Sequence, residues 1–152
     1  SASQIDRFQN IDEIRPGNFV FYDVMQYYLG SCKLSDIAIC LASPIIAKHE
    51  ERSEIVVHGG AVHLSKESIQ NKSGQTIYGL VAKLTSHGWD ILEESNYVSS
   101  LSQEHGIVKV DPTIFSSIRI GDVIGIIPVH SCLTANLFRE YLSTNGKIVE
   151  KM

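Results

Sequence analysis

Short apolar runs rich in β-branched residues recur along this chain, and glycine, proline, asparagine and serine separate them. Runs of this kind are typical of β-strands bounded by turns. Nine such runs within 152 residues predict a barrel or sandwich. The predicted strands are Phe19–Tyr22, Ile37–Ala42, Glu54–His58, Gly79–Leu84, Tyr97–Leu101, Ile107–Val110, Val123–Ile127, Leu137–Leu142 and Lys147–Glu150.

Helix is predicted at one or two places only. Asp23 can cap a short helix through Leu29, after which Gly30 takes the left-handed conformation. Pro112 opens a turn that runs to Ser116. The fold class predicted by the pattern is therefore mostly β, with one or two short helices.

Turn residues define how the last strands connect. Asn145-Gly146 favours a tight hairpin, which makes the last two strands antiparallel neighbours. Pro128 should end the preceding apolar strand, because proline cannot donate to a sheet, and a loop carrying His130 should follow. The polar stretch Ser65–Thr76 is expected to be a loop, with one helical turn near Glu67–Gln70.

The composition excludes several classes of partner. The chain is 43% hydrophobic and 20% charged, with a formal net charge of −4 and scattered lysines and arginines. No basic stretch indicates nucleic-acid binding. No apolar stretch is long enough to span a membrane, and the N-terminus does not resemble a secretory leader. These features predict a soluble protein.

The cysteines and the N-terminus indicate cellular context. Cys32, Cys40 and Cys132 form an odd, widely spaced set, which is neither a disulfide framework nor a zinc knuckle. Reduced thiols in the cytosol fit this pattern better, so we expect a cytoplasmic protein. We interpret residues 1–152 as a single β domain in which 1–14 is a linker-like segment, and the missing initiator Met suggests a piece of a longer protein.

The sharpest local feature is an imidazole and a thiol two residues apart, in Pro128-Val129-His130-Ser131-Cys132. If the backbone there is extended, His130 and Cys132 point to the same side and can meet one metal ion. Histidine nitrogen and thiolate sulfur suit zinc, and two protein ligands would leave positions open for water or substrate. The alternative is a small cysteine buried after a core strand.

The remaining candidates are weaker. His58 and His63 flank a Gly59–Ala61 turn, where backbone could approach a ligand or another chain, although a tight bend with two hydrogen-bonded histidines is favoured. For His105 we expect a structural hydrogen bond. Tyr22-Asp23 is either an acid/base pair or a strand end followed by a helix cap. His63, His105 and Tyr22 are kept as weak catalytic candidates, because no serine-hydrolase, nucleotide-binding or zinc-protease motif is present.

Five segments, taken in order, resemble one known family across nearly the whole chain. That family is the C-terminal domain of the D-threonine aldolase and metal-dependent D-serine dehydratase enzymes. The segments are Arg15–Asp23, Gly30–Cys32, His58–Ser65, Leu101–Gly106 and Gly121–Asn136.

The resemblance implies an alanine racemase-like architecture of fold type III. In such enzymes an N-terminal (β/α)₈ barrel holds pyridoxal phosphate on a lysine, a C-terminal β-barrel lies beside it, and the enzyme is usually a homodimer. The pyridoxal-phosphate barrel is absent from this chain, so the resemblance assigns no cofactor-binding residue here. By the family's pattern, His130 and Cys132 match the metal ligands, and the metal acts as a Lewis acid on the hydroxyl group of a β-hydroxy D-amino acid.

Two departures bear on the reaction. The family's aldolases tend to carry aspartate at the second ligand position, whereas Cys132 is similar to the dehydratase pattern. Many members have an acidic residue where this chain has His58. The substrate, and the choice between dehydratase-like and aldolase-like lyase, are left open.

Two alternatives to a lyase remain. One is a racemase-like fold-type III enzyme, because members of that class share architecture but not chemistry. The other is a stand-alone β-barrel that serves in binding or oligomerisation. In either case we expect the chain alone to be inactive toward amino acids and unable to hold pyridoxal phosphate.

Overall fold

The computed structural model describes residues 7–151, which form eleven strands and four short α-helices. The strands are β1 Leu41–His49, β2 Glu54–Val57, β3 Ile69–Gln70, β4 Thr76–Ile77, β5 Gly79–Thr85, β6 Gly88–Ile91, β7 Tyr97–Leu101, β8 Gly106–Lys109, β9 Val123–Pro128, β10 Glu140–Leu142 and β11 Ile148–Glu150. The α-helices are α1 Val24–Tyr28, α2 Ala61–Leu64, α3 Pro112–Ser117 and α4 Ser131–Asn136, and single 3₁₀ turns span Leu34–Asp36 and Glu50–Arg52.

Six strands close into an antiparallel barrel. The main sheet runs β6-β5-β7-β8-β2-β1-β9, and β9 also pairs with β5 from Gly79 opposite Pro128 to Ala82 opposite Gly125. Strand β6 extends β5 as a hairpin outside the closed ring. The predicted mostly β barrel is confirmed, with four short α-helices where the sequence predicted one or two.

The apolar core has two parts, one on each side of the barrel wall. Inside the barrel lie residues such as Ile55, Val81 and Ile126. Outside it, Leu80 and Ile127 pack beneath α1. Strands β5 and β9 are therefore buried on both faces, which explains why their sequences are continuous apolar runs rather than alternating ones.

Several predicted elements are confirmed. Strand β7 covers Tyr97–Leu101, as predicted, and β2, β5, β8 and β9 match their predictions within one residue at each end. Asp23 caps α1 through a bond from the Gln26 backbone, and Gly30 has a left-handed φ of 74°. Strands β10 and β11 are antiparallel neighbours, and Gly146 between them has a φ of 82°.

The prediction of a strand at Phe19–Tyr22 is wrong. A backbone bond from Phe19 N to Gly17 O makes a tight turn, and Tyr22 has a left-handed φ of 50°, so the backbone cannot stay extended. The strand predicted at Ile37–Ala42 begins only at Leu41 and runs on to His49. It continues through Pro44 because the pairing of β1 with β2 is irregular just beyond it, and strands tolerate proline at such bulges.

Two other predictions also needed correction. No helical turn forms at Glu67–Gln70; instead Ile69–Gln70 pairs with β4 across a turn held by the Asn71 side chain, which accepts from the backbone of Ser73 and Gln75. The strand predicted at Leu137–Leu142 begins only at Glu140, because α4 and the turn after it occupy the preceding residues.

Residues 7–23 contain no helix or strand. The rest of the predicted linker, residues 1–6, lies outside the described residues. Within the described part of the chain, no helix combines the length and the apolar character that a membrane crossing requires.

Candidate functional site

Three connecting segments that carry the candidate residues lie together beside the barrel. The β9–α4 junction carries His130 and Cys132, His58 directly follows β2, and His63 lies in α2. The segment before β8 carries His105, and the backbone of α2 bonds to that segment. Helices α2 and α4 are joined by a buried hydrogen bond of 3.2 Å, in which the Thr134 hydroxyl donates to the carbonyl of Leu64.

The backbone at His130 and Cys132 differs from the extended loop that the sequence predicted. Pro128 ends β9 as expected, but α4 begins at Ser131, with His130 as its extended N-cap residue. Cys132 lies in the first helical turn and is exposed, whereas His130 is half-buried. His130 thus has an extended backbone and Cys132 a helical one. The alternation of side chains along a strand, on which the sequence-based expectation rested, does not apply to this pair.

Asp23 is the most buried charged group near this junction, with 1% of its surface exposed. Its carboxylate accepts hydrogen bonds from the backbone of Gln26 and of Ser131, each at 2.9 Å. Burial raises the pKa of Asp23, whereas these bonds and the nearby His130 act in the opposite direction. Asp23 is therefore a helix cap, as the sequence favoured, and Tyr22 packs beside it against the outer core.

Asn18 and Ser131 complete this network, and the sequence did not single them out. The Asn18 side-chain amide donates to Asp23, and the hydroxyl of Ser131 donates to the Asn18 carbonyl oxygen at 2.6 Å. Both lie inside segments that carried the family resemblance, but no sequence pattern connected Ser131 with Asp23 or Asn18.

His58, His63 and His105 form a histidine cluster. The rings of His58 and His63 have centroids 5.1 Å apart, and those of His58 and His105 are 5.9 Å apart. The Gly60 N–H donates to Nδ1 of His63 at 3.3 Å. Burial, reinforced by His58, lowers the pKa of His63. The structure thus joins two of the predicted candidates, His63 and His105, through His58.

The glycine turn between His58 and His63 approaches another segment of the same chain. A Cβ atom at Gly60 would lie 2.4 Å from the backbone nitrogen of His105 and 2.5 Å from the carbonyl oxygen of Gln103. The Ala61 N–H donates to the carbonyl of Ser102 at 2.9 Å. Glycine is needed here because the two backbones touch, not because a ligand must come close.

The donor set fits an open metal site. Among residues 7–151, no group of three or more histidine, cysteine, aspartate or glutamate side chains is arranged to hold a metal. His130 and Cys132 would therefore supply two ligands, an imidazole and an exposed thiol, whose chemistry suits zinc.

Comparison with known proteins places the chain in a family. The model of the putative serine dehydratase domain matches residues 38–144. The D-serine dehydratase of Dictyostelium discoideum is 37% identical over 140 residues, which cover 90% of this chain and 34% of that protein. The chain thus spans about a third of the length of this relative.

Solved structures share the fold. An alanine racemase-like protein from Idiomarina loihiensis superposes with a TM-score of 0.71 at 27% identity, over 84% of this chain and 34% of that one. D-threo-3-hydroxyaspartate dehydratase from Delftia sp. HT23 superposes with a TM-score of 0.72 at 23% identity, over 86% of this chain and 36% of that one. Two variants of a D-threo-3-hydroxyaspartate dehydratase have also been solved. In one, a histidine is replaced by alanine. In the other, which is in the metal-free form, alanine replaces the cysteine two positions after that histidine.

These findings confirm both the resemblance and the alanine racemase-like barrel that the sequence predicted. The family match extends over more than half of the chain and includes the His130–Cys132 junction and the histidine cluster. The chain belongs to the putative serine dehydratase domain family.

Proposed function

We propose that the complete protein containing this chain is a pyridoxal-phosphate-dependent, metal-assisted lyase that removes water from β-hydroxy D-amino acids. The observation that carries the proposal is the imidazole and thiol at the β9–α4 junction, inside the region matched by the family model. Dehydratases of D-serine and of D-threo-3-hydroxyaspartate among the relatives support the substrate class.

In this proposal His130 and Cys132 hold a divalent cation, most suitably zinc. The donor chemistry of an imidazole and a thiol supports this assignment. It is also supported by the D-threo-3-hydroxyaspartate dehydratase variants, in which a histidine and a cysteine with the same spacing were replaced. A cation held there supplies a Lewis acid toward the substrate hydroxyl group. Cys132 is exposed and therefore accessible to a cation and to a substrate that arrive from outside the barrel.

Pyridoxal phosphate, when bound, supplies the electron sink for proton removal at Cα. We propose that an N-terminal (β/α)₈ barrel in the complete protein holds it and that the protein is a homodimer. The histidine cluster contributes groups that can move a proton: because Nδ1 of His63 accepts from Gly60, the neutral ring carries its proton on Nε2. The three cysteines are free, which suits the cytosol.

The test is an assay of the complete protein with D-serine, D-threonine and D-threo-3-hydroxyaspartate, with and without a chelator. We expect keto acid and ammonia as products, loss of activity on chelation and recovery with zinc. His130→Ala and Cys132→Ala should each lower kcat by about 100-fold or more, since a Lewis acid contributes several kcal/mol. His87→Ala and Cys40→Ala are the matched controls.

Other outcomes would contradict the proposal in different ways. Activity that is indifferent to chelation and to His130→Ala would exclude the metal role. Release of glycine and an aldehyde would identify an aldolase. Loss of optical rotation without either product would identify a racemase, and no reaction with any amino acid would favour a binding or oligomerisation module.

A further inference from the structure

Ser131 separates the two proposed metal ligands, and it is fully buried, with 0% of its surface exposed. Its backbone N–H donates to Asp23 and its hydroxyl donates to Asn18. Both hydrogen-bond donors of the residue between His130 and Cys132 are thus held by partners more than 100 positions away, at sequence separations of 108 and 113.

The residue on the other side of His130 is fixed as well. The backbone N–H of Met25, in the first turn of α1, donates to the carbonyl of Val129 at 3.2 Å. Residues at the start of α1 therefore hydrogen-bond to the backbone immediately before and immediately after His130. A side chain between two fixed peptide groups has fewer orientations available to it, which is the condition for a preorganised ligand.

The burial of Asp23 exceeds what capping α1 requires. A serine or an exposed aspartate can cap a helix, and the capping bond uses only Oδ1 of Asp23. The other oxygen, Oδ2, is directed at Ser131 and Asn18. A buried carboxylate is costly unless it is fully bonded. Two of its three hydrogen bonds serve the junction rather than α1.

We propose that Asp23, together with Asn18, is a positioning residue that sets the orientation of His130 and Cys132 for metal binding. The inference rests on the proposed function, since it assumes that these two residues are the ligands. It goes beyond that function because neither Asp23 nor Asn18 coordinates the cation. Partners outside the ligand set that hold ligands in place commonly change metal affinity by about 10–100-fold when they are removed.

The chain offers a matched control for the decisive substitution. Asp111 is also an N-cap residue whose Oδ2 accepts from an asparagine side chain, that of Asn96 at 2.8 Å. It follows β8 at the end opposite His105, and none of its hydrogen bonds within residues 7–151 reaches residues 128–132. Asp23→Asn and Asp111→Asn are thus the same chemical change at two carboxylates bonded to asparagine, of which only Asp23 is fully buried and bonds to its own helix. Asp23→Asn keeps an oxygen for the Gln26 N–H but presents an amide donor where Ser131 needs an acceptor.

The experiment measures zinc affinity of the complete protein by competition with a chromophoric chelator, and follows Cys132 through the sulfur-to-cobalt charge-transfer band of the cobalt-loaded protein. We expect Asp23→Asn and Asn18→Ala to weaken zinc binding about 10–100-fold and to shift or weaken the band. Asp111→Asn should retain wild-type affinity and spectrum. Thermal unfolding of each variant accompanies the titration.

The outcomes separate this inference from the proposed function. If His130→Ala and Cys132→Ala abolish zinc binding while Asp23→Asn and Asn18→Ala bind as the wild type does, the positioning role is overturned and the ligand pair stands. Equal losses in Asp23→Asn and Asp111→Asn would also overturn it, since the effect would then be general destabilisation. If Asp23→Asn does not fold, Asn18→Ala alone decides by the same criteria. Zinc affinity unchanged by His130→Ala and Cys132→Ala would refute the ligand pair itself.

Discussion

His63 links the histidine cluster to the stability of the fold. Because burial lowers its pKa below the ordinary value of 6.5, the folded protein favours the neutral ring. As far as His63 is concerned, the free energy of unfolding is therefore greatest above pH 6.5. It declines as the pH falls from 6.5 toward the folded-state pKa, because His63 of the unfolded chain binds a proton first.

His63→Asn should flatten this dependence. The asparagine oxygen can still accept from the Gly60 N–H, but it does not titrate. We expect the melting temperature of the variant to vary less than that of the wild type between about pH 5 and 7. Thermal melts across this range measure the effect, and His87→Asn, in an exposed turn, is the control. Parallel pH profiles for His63→Asn and the wild type would show that His63 is not responsible.

Gly60 is a position where adding a single methyl group should destabilise the fold around the histidine cluster. An added methyl group would collide with backbone atoms of His105 and Gln103, which cannot rotate away. We expect Gly60→Ala to cost about 1–3 kcal/mol of unfolding free energy or more. Gly17→Ala, where no atom lies within 4 Å of the new methyl, is the control. Urea denaturation measures both, and equal midpoints would contradict the close-packing account.

At the level of elements, α1 depends on partners because five residues are too few for a stable isolated helix. Besides its cap, α1 is tied down by Tyr28, whose hydroxyl donates to Glu94 at 2.6 Å, and more loosely by Tyr27 at 3.3 Å. Burial raises the pKa of Glu94, but the bonds from Tyr28 and Lys72 outweigh it and leave the pKa below its usual value.

Tyr28→Phe should therefore destabilise the protein by about 1–2 kcal/mol, because it removes a short hydrogen bond to a charged acceptor. Tyr27→Phe is the matched control, and it should cost less than half as much since its bond is longer. Chemical denaturation at pH 7 measures the difference. Below the folded pKa of Glu94 the two variants should converge, and a persistent gap there would mean that packing, not the charged bond, is the cause.

Elements whose residues follow local rules could be predicted from the sequence. The cap at Asp23, the left-handed Gly30 and the Asn145-Gly146 hairpin each follow from the chemistry of one or two residues. Strand β6 was missed because Gly88–Ile91 is short and contains a glycine and an aspartate, which are depleted in strands; it is a strand because it pairs with β5. The apolar run Phe19–Tyr22 misled because Tyr22 adopts a left-handed backbone that its residue type disfavours.

The candidate site divides in the same way. His130 and Cys132 were identified by spacing and family resemblance, although the helix that begins between them was not predicted. The hydrogen bonds from Ser131 to Asp23 and Asn18 join residues more than 100 positions apart. No pattern in a single sequence predicts a contact at that sequence separation. The contact between His58 and His105 likewise arises from the pairing of β2 with β8, in which Val57 lies opposite Gly106.

On the scale of the whole molecule, stability should be distributed unevenly between the barrel and the terminal hairpin. Residues of β9 pair with both β1 and β5 and close the ring. Within residues 7–151, strands β10 and β11 pair only with each other, and an isolated two-stranded hairpin is marginal in water. The Tyr141 hydroxyl, which donates to the carbonyl of Ala135 at 2.7 Å, ties the hairpin to the end of α4.

One pair of identical substitutions tests this distribution. Ile126 in β9 is 0% exposed, whereas Ile148 in β11 is 67% exposed. Ile126→Ala should cost about 2–5 kcal/mol, a large share of a typical domain's 5–15 kcal/mol, because it leaves a cavity at the ring closure. Ile148→Ala should stay within about 0.5 kcal/mol. Hydrogen exchange should show β9 amides opening only with global unfolding, and β11 amides opening locally. Similar protection in both strands would mean that the hairpin unfolds together with the barrel as one cooperative unit. The β9–α4 junction, which lies between β9 and the hairpin in sequence, would then hold the proposed ligands on an equally rigid support.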